Sequence, residues 1–187
     1  MTENKNKVSD LQSHTGVEVM RCYQCGKCTA GCVLASEMNF PPSYVMRLLQ
    51  TGSKENYDKV ISSNSIWLCL NCENCLGRCP MEIDIPKMMD YLRTQSISEN
   101  KLHPDSKPIL AFHQSFLNSV KYTGRLYEVG LILDFKLRTF RLAQDIAIAP
   151  SMYLKGKLHL LPERIKDRMS MKRIFAKTIE TAKTTHP

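Results

Sequence analysis

The chain has 187 residues, 43% of them apolar and 24% charged, which supplies material for a packed core and excludes global disorder. Its formal charge is +8 with every cysteine counted as neutral; no aromatic-interleaved basic motif accompanies that charge, so nucleic acid is not the expected partner. No apolar run approaches the length of a membrane span, and Met1 to Asp10 lacks the apolar core of a secretion signal, so a cytoplasmic protein with reduced thiols is expected.

Residues 1–16 read as a polar, loosely ordered arm. A short lead-in over Val17–Arg21 meets the first of two cysteine motifs, Cys22-x2-Cys25-x2-Cys28-x3-Cys32. Pro41-Pro42 then opens a helix over about 43–51 with Val45, Leu48 and Leu49 on one face and Gly52 as its stop. Ser53 is placed to cap a further turn or two through Tyr57, Val60 and Ile61, and Asn64-Ser65 to cap a short helix carrying Trp67. The second motif follows, Cys69-x2-Cys72-x2-Cys75-x3-Cys79, closed by Pro80. All eight cysteines fall in these two motifs.

This spacing has a physical reading. Three thiolates on one tight loop reach three irons of a single cubane, and the fourth, after a three-residue gap, begins or lies on a following helix and points away. In two-cluster ferredoxins the fourth cysteine therefore ligates the other cluster. The expected ligand sets are Cys22, Cys25, Cys28 and Cys79 for one [4Fe–4S] cluster, and Cys69, Cys72, Cys75 and Cys32 for the second. Zinc ribbons use paired cysteines and leave the third of each motif surplus; a disulfide framework needs an export signal; a thioredoxin-type site needs a βαβ context. Gly26, Gly31 and Gly77 are expected to allow close backbone approach or positive φ, with backbone N–H groups donating to sulfur. Tyr23, Trp67 and Leu76 serve either as a water shield or as ordinary packing.

Beyond Pro80, Ile83 and Ile85 read as anchors beside a cluster, and Asp84-Pro86 starts a helix with Ile85, Met88, Met89 and Leu92 on one face. A linker over 96–107 leads to a second helical region: a stripe of Ile109, Phe112, Phe116 and Val120, a helix over about 125–142 after Gly124, a turn at Pro150, a loop at Gly156, and a last helix from Pro162 to about Lys183. The apolar stripes read as core or as surface that faces a partner, and His113 as a packing residue. Residues 151–187 carry nine Lys or Arg against three acids, which fits solvated helix faces or docking to an acidic partner. The expected organisation is an arm (1–16), a mainly α two-cluster domain (17–95) and a helical C-terminal region for packing and partner docking (96–187).

No GxGxxG, P-loop, nucleophile elbow or HExxH is present, and eight cysteines committed as ligands leave no free nucleophile. A relay without substrate chemistry of its own follows.

The stretch CYQCGKCTAGC, the helix ending LLQTG, the stretch SIWLCLNCENCLGRCP, the MEIDIPKMMDYLR helix and the tail LPERIKDRMSMKRIF together resemble the iron–sulfur C subunit of heterodisulfide reductase from methanogenic archaea, over roughly residues 18–180. The resemblance implies an α-helical ferredoxin-type domain with two [4Fe–4S] clusters. It also implies two partners: a flavin- and cluster-containing A subunit, which supplies electrons, and a catalytic B subunit, which reduces the disulfide of coenzyme M and coenzyme B in methanogenesis. A nickel–iron hydrogenase or a formate dehydrogenase would complete the assembly. The same module also serves quinone-linked complexes and dehydrogenases of glycolate, lactate or glycerol phosphate, which form the alternative. A zinc or nucleic-acid module is a remoter one. Val33 stands where such motifs often carry proline after the last cysteine, which touches the local turn and not the ligation.

Overall fold

The computed structural model describes residues 3–140, 149–156, 165 and 168–185. Among these the chain is helical, with no strand, and it divides after Lys107 into two compact units.

The first unit opens with α1 (Glu3–Thr15). The expected loose arm is thus a helix that packs on α4 and α7. One apolar residue anchors it: Leu11 is fully buried, Lys7 Nζ bonds Glu99 at 2.8 Å, and the His14 ring lies 5.5 Å from that of Tyr91. Val8 and Leu11 are the only apolar residues of α1, too few for a helical period to show through its polar composition. Gly16, at φ +71°, ends the helix by donating its N–H to the Gln12 carbonyl at 2.7 Å.

A 3-10 turn (Val19–Arg21) leads into the first cysteine loop, which ends in the one-turn helix α2 (Lys27–Ala30). After a 3-10 turn at Ala35–Glu37 comes α3 (Pro42–Gln50), started by Pro42 and burying Val45, Met46, Leu48 and Leu49. Gly52 follows at φ +61°, as its stop position requires. Helix α4 (Lys54–Ile61) buries Tyr57, Val60 and Ile61; Ser53 occupies the cap position with extended backbone, but its side chain makes no cap bond. Helix α5 (Ser65–Leu68) brings Trp67 into the core. Asn64 does not cap it; its Oδ1 instead accepts from Ser106 at 2.6 Å, while Ser65 Oγ accepts from the Phe40 N–H at 2.8 Å.

The second cysteine loop ends in another one-turn helix, α6 (Asn74–Gly77), which packs on α2. Helix α7 (Ile85–Ser98) is the spine of the unit, touching α1, α4, α5 and α6. Asp84 caps it by accepting from the Lys87 N–H at 3.0 Å, and Met88, Met89 and Leu92 are fully buried. The residues expected as linker begin inside this helix and end in a 3-10 turn at Pro104–Ser106.

The second unit begins at Pro108, one residue into α8 (Lys107–Thr123), and goes on with α9 (Glu128–Thr139), α10 (Ala149–Leu154) and α11 (Arg168–Thr185). Pro150 lies in the first turn of α10 and not in a free turn; a first-turn proline loses no helical hydrogen bond. The expected start of the last helix at Pro162 falls outside the described residues. Phe112 meets Phe135 edge to face at 5.9 Å and Leu131 is buried, yet Phe112, Phe116, Leu117, Leu133 and Leu137 remain substantially exposed. His113 is exposed rather than packed. Among the described residues no helix is long and apolar enough to cross a membrane.

Candidate metal centre

The two cysteine motifs fold the same way, residue for residue. In each loop the residue before the second cysteine and the residue after it are left-handed: Gln24 (φ +60°) and Gly26 (φ +76°) in the first, Asn71 (φ +50°) and Glu73 (φ +59°) in the second. These two reversals curl the chain so that three successive cysteines face inward. Of the three glycines expected to supply such freedom, only Gly26 has positive φ. Gly31 leaves room for the exposed Arg78 side chain arriving from the other motif, which a Cβ there would push aside. Gly77 is an ordinary helical residue with open surroundings. The second loop takes its left-handed turns on Asn71 and on Glu73, at a steric cost of about 1–2 kcal/mol for a side chain such as glutamate.

Past the loop each motif makes one helical turn. Cys28 stands at the start of α2 and Cys32 beyond its end; Cys75 and Cys79 stand likewise about α6. The fourth cysteine thus follows the short helix rather than riding a later one. A four-residue helix is about 6 Å long, so the third and fourth thiols of one motif leave from opposite ends of a stiff spacer.

The structure gathers the eight cysteines into two recesses, four to each. One is lined by Cys22, Cys25, Cys28 and Cys79, with Met46, Ile83 and Ile85 among its walls. The other is lined by Cys32, Cys69, Cys72 and Cys75, with Met38, Pro42, Leu68 and Met89. Ile85 lines both, so the recesses share a wall. All eight thiols are free. Among the described residues no three Cys, His, Asp or Glu side chains converge as ligands of a single ion would. Four thiols spread around an apolar recess instead suit a multi-iron core, each thiolate meeting a different iron.

The expected water shield is built from other residues. Trp67 is buried in the core without lining either recess, Tyr23 is 57% exposed, and Leu76 lines neither. Ile83 and Ile85 line the recesses, as anchors beside a cluster should. The methionines Met38, Met46 and Met89 complete the walls, and helical burial alone did not distinguish them from core.

Electrostatics follow the same grouping. Burial pushes the Cys75 thiol up to about 11, reinforced by the nearby Cys69. Burial likewise raises Cys28, with Cys22 adding to it, and raises Cys69, with Cys32 adding to it. Backbone N–H groups of Thr29, Asn71 and Leu76 and the Arg93 guanidinium pull the other way on these sulfurs. Thiols held together and desolvated in this way would release their protons to solvent when their sulfurs bind a metal, which couples cofactor loading to the fold.

Each loop is also clamped from outside. In the first, the Gln50 side-chain amide donates to the Val19 carbonyl at 3.2 Å and to the Cys22 carbonyl at 2.6 Å. In the second, Arg93 Nε donates to the Ile66 carbonyl at 2.7 Å and its Nη2 to the Cys69 carbonyl. Val19 and Ile66 hold the same position, three residues ahead of the first cysteine of their motifs. Neither clamp has a local sequence signal, since both sit on helices far along the chain from the loops they hold.

Comparison with known proteins agrees with this chemistry. Residues 18–83 match the family described as a 4Fe-4S dicluster domain. Over 69 residues the chain is 38% identical to the iron-sulfur C subunit of the CoB–CoM heterodisulfide reductase of Methanopyrus kandleri, covering 37% of this chain and 34% of that one. It is 28% identical over 102 residues to the C subunit of the H2:CoB–CoM heterodisulfide,ferredoxin reductase of Methanothermobacter thermautotrophicus, covering 54% of each. The C subunit of a ferredoxin:CoB–CoM heterodisulfide reductase of Methanosarcina mazei is 27% identical over 94 residues, 50% of this chain and 56% of that one. The chain spans about a third to just over half the length of these relatives. The dicluster domain carries two [4Fe–4S] clusters, and the likeness supports an iron–sulfur electron-transfer role beside an oxidoreductase.

Proposed function

We propose that this chain is the iron–sulfur relay subunit of a heterodisulfide reductase complex. It would take electrons from a flavin-containing partner, the A subunit, and pass them to a catalytic B subunit, where the disulfide of coenzyme M and coenzyme B is reduced. The observation that carries the reading is the division of eight free thiols into two adjoining apolar recesses, each taking three cysteines from one motif and one from the other. On this reading Cys22, Cys25, Cys28 and Cys79 hold one cluster, and Cys69, Cys72, Cys75 and Cys32 hold the second.

Each cluster supplies one-electron acceptance and donation. Reduction of a disulfide consumes two electrons and two protons, so a pair of one-electron centres matches the demand of such a partner. The protein's part is to keep water from the recesses with Met38, Met46, Ile83, Ile85 and Met89, to direct Thr29, Asn71 and Leu76 N–H groups at sulfur, and to brace the loops through Gln50 and Arg93. The names of the relatives in Methanothermobacter and Methanosarcina include hydrogen and ferredoxin as reductants. A hydrogenase or formate dehydrogenase as ultimate donor, and a cytoplasmic setting, belong to the same proposal.

The test is anaerobic purification with iron, sulfide and zinc analysis, followed by Cys32→Ser. About eight iron and eight sulfide per chain are expected, and the serine variant should disturb the EPR signal of the cluster held by Cys69, Cys72 and Cys75. Damage confined to the cluster of Cys22, Cys25 and Cys28 would overturn the ligand sets, and stoichiometric zinc would remove the function. Co-purifying proteins that bind flavin or reduce the heterodisulfide separate this reading from service in a quinone-linked complex or a hydroxy-acid dehydrogenase.

A further inference from the structure

The two halves of the site repeat one another in backbone, in ligand spacing and in the carbonyls that are clamped. They differ at the clamp itself. In the first loop the donor to the Val19 and Cys22 carbonyls is Gln50, which is neutral, and the Gln24 and Gln50 amides meet at 2.8 Å. In the second loop the donor to the corresponding Ile66 and Cys69 carbonyls is Arg93, a permanent cation. From this charge difference at matched positions we infer that Arg93 is a tuning residue that makes the cluster of Cys32, Cys69, Cys72 and Cys75 the higher-potential member of the pair.

The physics is that of a fixed charge beside a redox centre. Reduction adds one negative charge to a cluster, and a nearby cation stabilises the product more than the reactant, which raises the potential. The effect survives only where water does not screen it, and the Arg93 side chain is 16% exposed. Other charges bear on the balance: Glu73 stands between Cys72 and Cys75, and Arg78, beside Cys79, lies against Gly31, but both are exposed and therefore screened by solvent. Asp90 Oδ1 lies 2.8 Å from Arg93 Nη1 and offsets part of its charge, but that carboxylate is 55% exposed, so solvent screens it more than it screens the guanidinium. Asn71, on the loop itself, also donates to Asp90 at 2.8 Å, so the carboxylate is tied to the loop and is felt at Cys69, against the guanidinium. On the first cluster's side Lys27 lines the recess, but it is an exposed residue on a long flexible stem. The half-buried guanidinium, bonded directly to a ligand's own carbonyl, is the least screened of these charges and therefore dominates. An electron that has entered the pair rests on the second cluster, and the first acts as the feeder.

The inference rests on the ligand sets proposed above. The experiment is an anaerobic EPR-monitored redox titration of the full-length holoprotein, of Arg93→Gln and of Asp90→Asn, each with iron and sulfide analysis. Two midpoints are expected in the parent. Arg93→Gln should shift the more positive one downward, further than it shifts the other; Asp90→Asn, which leaves the guanidinium unopposed, should shift the same midpoint upward. Opposite signs in the two variants are a signature that loosened packing does not produce. Shifts of equal size in both midpoints, movement of the lower midpoint instead, or no movement at full iron content would each overturn the inference. If Arg93→Gln loses half its iron, Asp90→Asn decides alone: a rise in the upper midpoint supports the assignment and its absence refutes it. A parent protein without two four-iron signals would sink the ligand reading itself, a failure visible in the metal analysis before any variant is compared.

Discussion

Ile85 is the residue at which packing and cofactor binding meet, and its truncation gives the sharpest test of the architecture. It is 2% exposed, opens α7, and lines both recesses. Ile85→Ala removes three carbons, worth about 2.4 kcal/mol at roughly 0.8 kcal/mol per methylene. The residual cavity brings the expected loss to about 2–5 kcal/mol. For a unit of this size each kcal/mol moves the melting temperature by about 4–8 °C, so a fall of about 10 °C or more is expected. The control is Ile61→Ala, equally buried in α4 but lining neither recess. Both variants should melt earlier by comparable amounts when followed anaerobically by far-UV circular dichroism. Only Ile85→Ala should also speed the bleaching of cluster absorbance by an iron chelator well below the melting temperature, and it should do so for both clusters together. A bleaching rate no faster than that of Ile61→Ala, or loss of one cluster alone, would refute the idea of a shared wall.

Other consequences are simpler to state. Leu11→Ala should cost about 2–5 kcal/mol and raise hydrogen exchange across α1, because Leu11 is the fully buried apolar residue of that helix. Glu99 is partly buried, which alone would raise its pKa, but hydrogen bonds from Lys101 and Lys7 outweigh this and hold the carboxyl below its ordinary value. A depressed carboxyl stabilises the fold above its unfolded-state pKa, and that contribution disappears as pH falls through the folded value. Acid unfolding curves of the parent and Glu99→Gln should therefore converge at low pH and separate by about 1 kcal/mol or less above roughly pH 5, the ion pairs being partly exposed. Charge reversal at Lys172 and Arg173, both exposed on α11, should weaken co-purification with partner proteins while iron content stays constant; unchanged assembly would return them to a solvated face.

What the sequence discloses here is whatever is local and periodic. The helix over 43–51 is α3 within a residue, because Pro42, three apolar positions on one face and Gly52 all speak within a few residues. The Asp84-Pro86 start of α7 is equally plain, and its cap bond is present. What escaped is long-range or carried by single residues. Helix α1 hides behind a polar composition because Leu11 is its one fully buried apolar residue and its other contacts are made by Lys7 to Glu99 and His14 to Tyr91. The left-handed positions of the second loop fall on Asn71 and Glu73, where only glycine had been expected to supply them. Gln50 and Arg93 look like ordinary polar residues of amphipathic helices, and their partners are 24 to 31 positions away in the chain.

The repeat clarifies what a likeness in sequence can transmit. Cysteine spacing fixes ligand geometry, because a one-turn helix between the third and fourth thiol forces them into different recesses in both motifs alike. That geometry would survive almost any change elsewhere, and it is the part that residues 18–83 share with the dicluster family. The order of the potentials is a different property. It depends on which charge sits behind each loop, and in the second loop that charge comes from Arg93, beyond the end of the matched segment. Two proteins with identical cysteine motifs can therefore hold identical clusters and still rest the electron on different ones, if one exchanges the neutral and cationic clamps. Gln50→Arg combined with Arg93→Gln makes that exchange within one protein, and an inverted order of midpoints is the expected result.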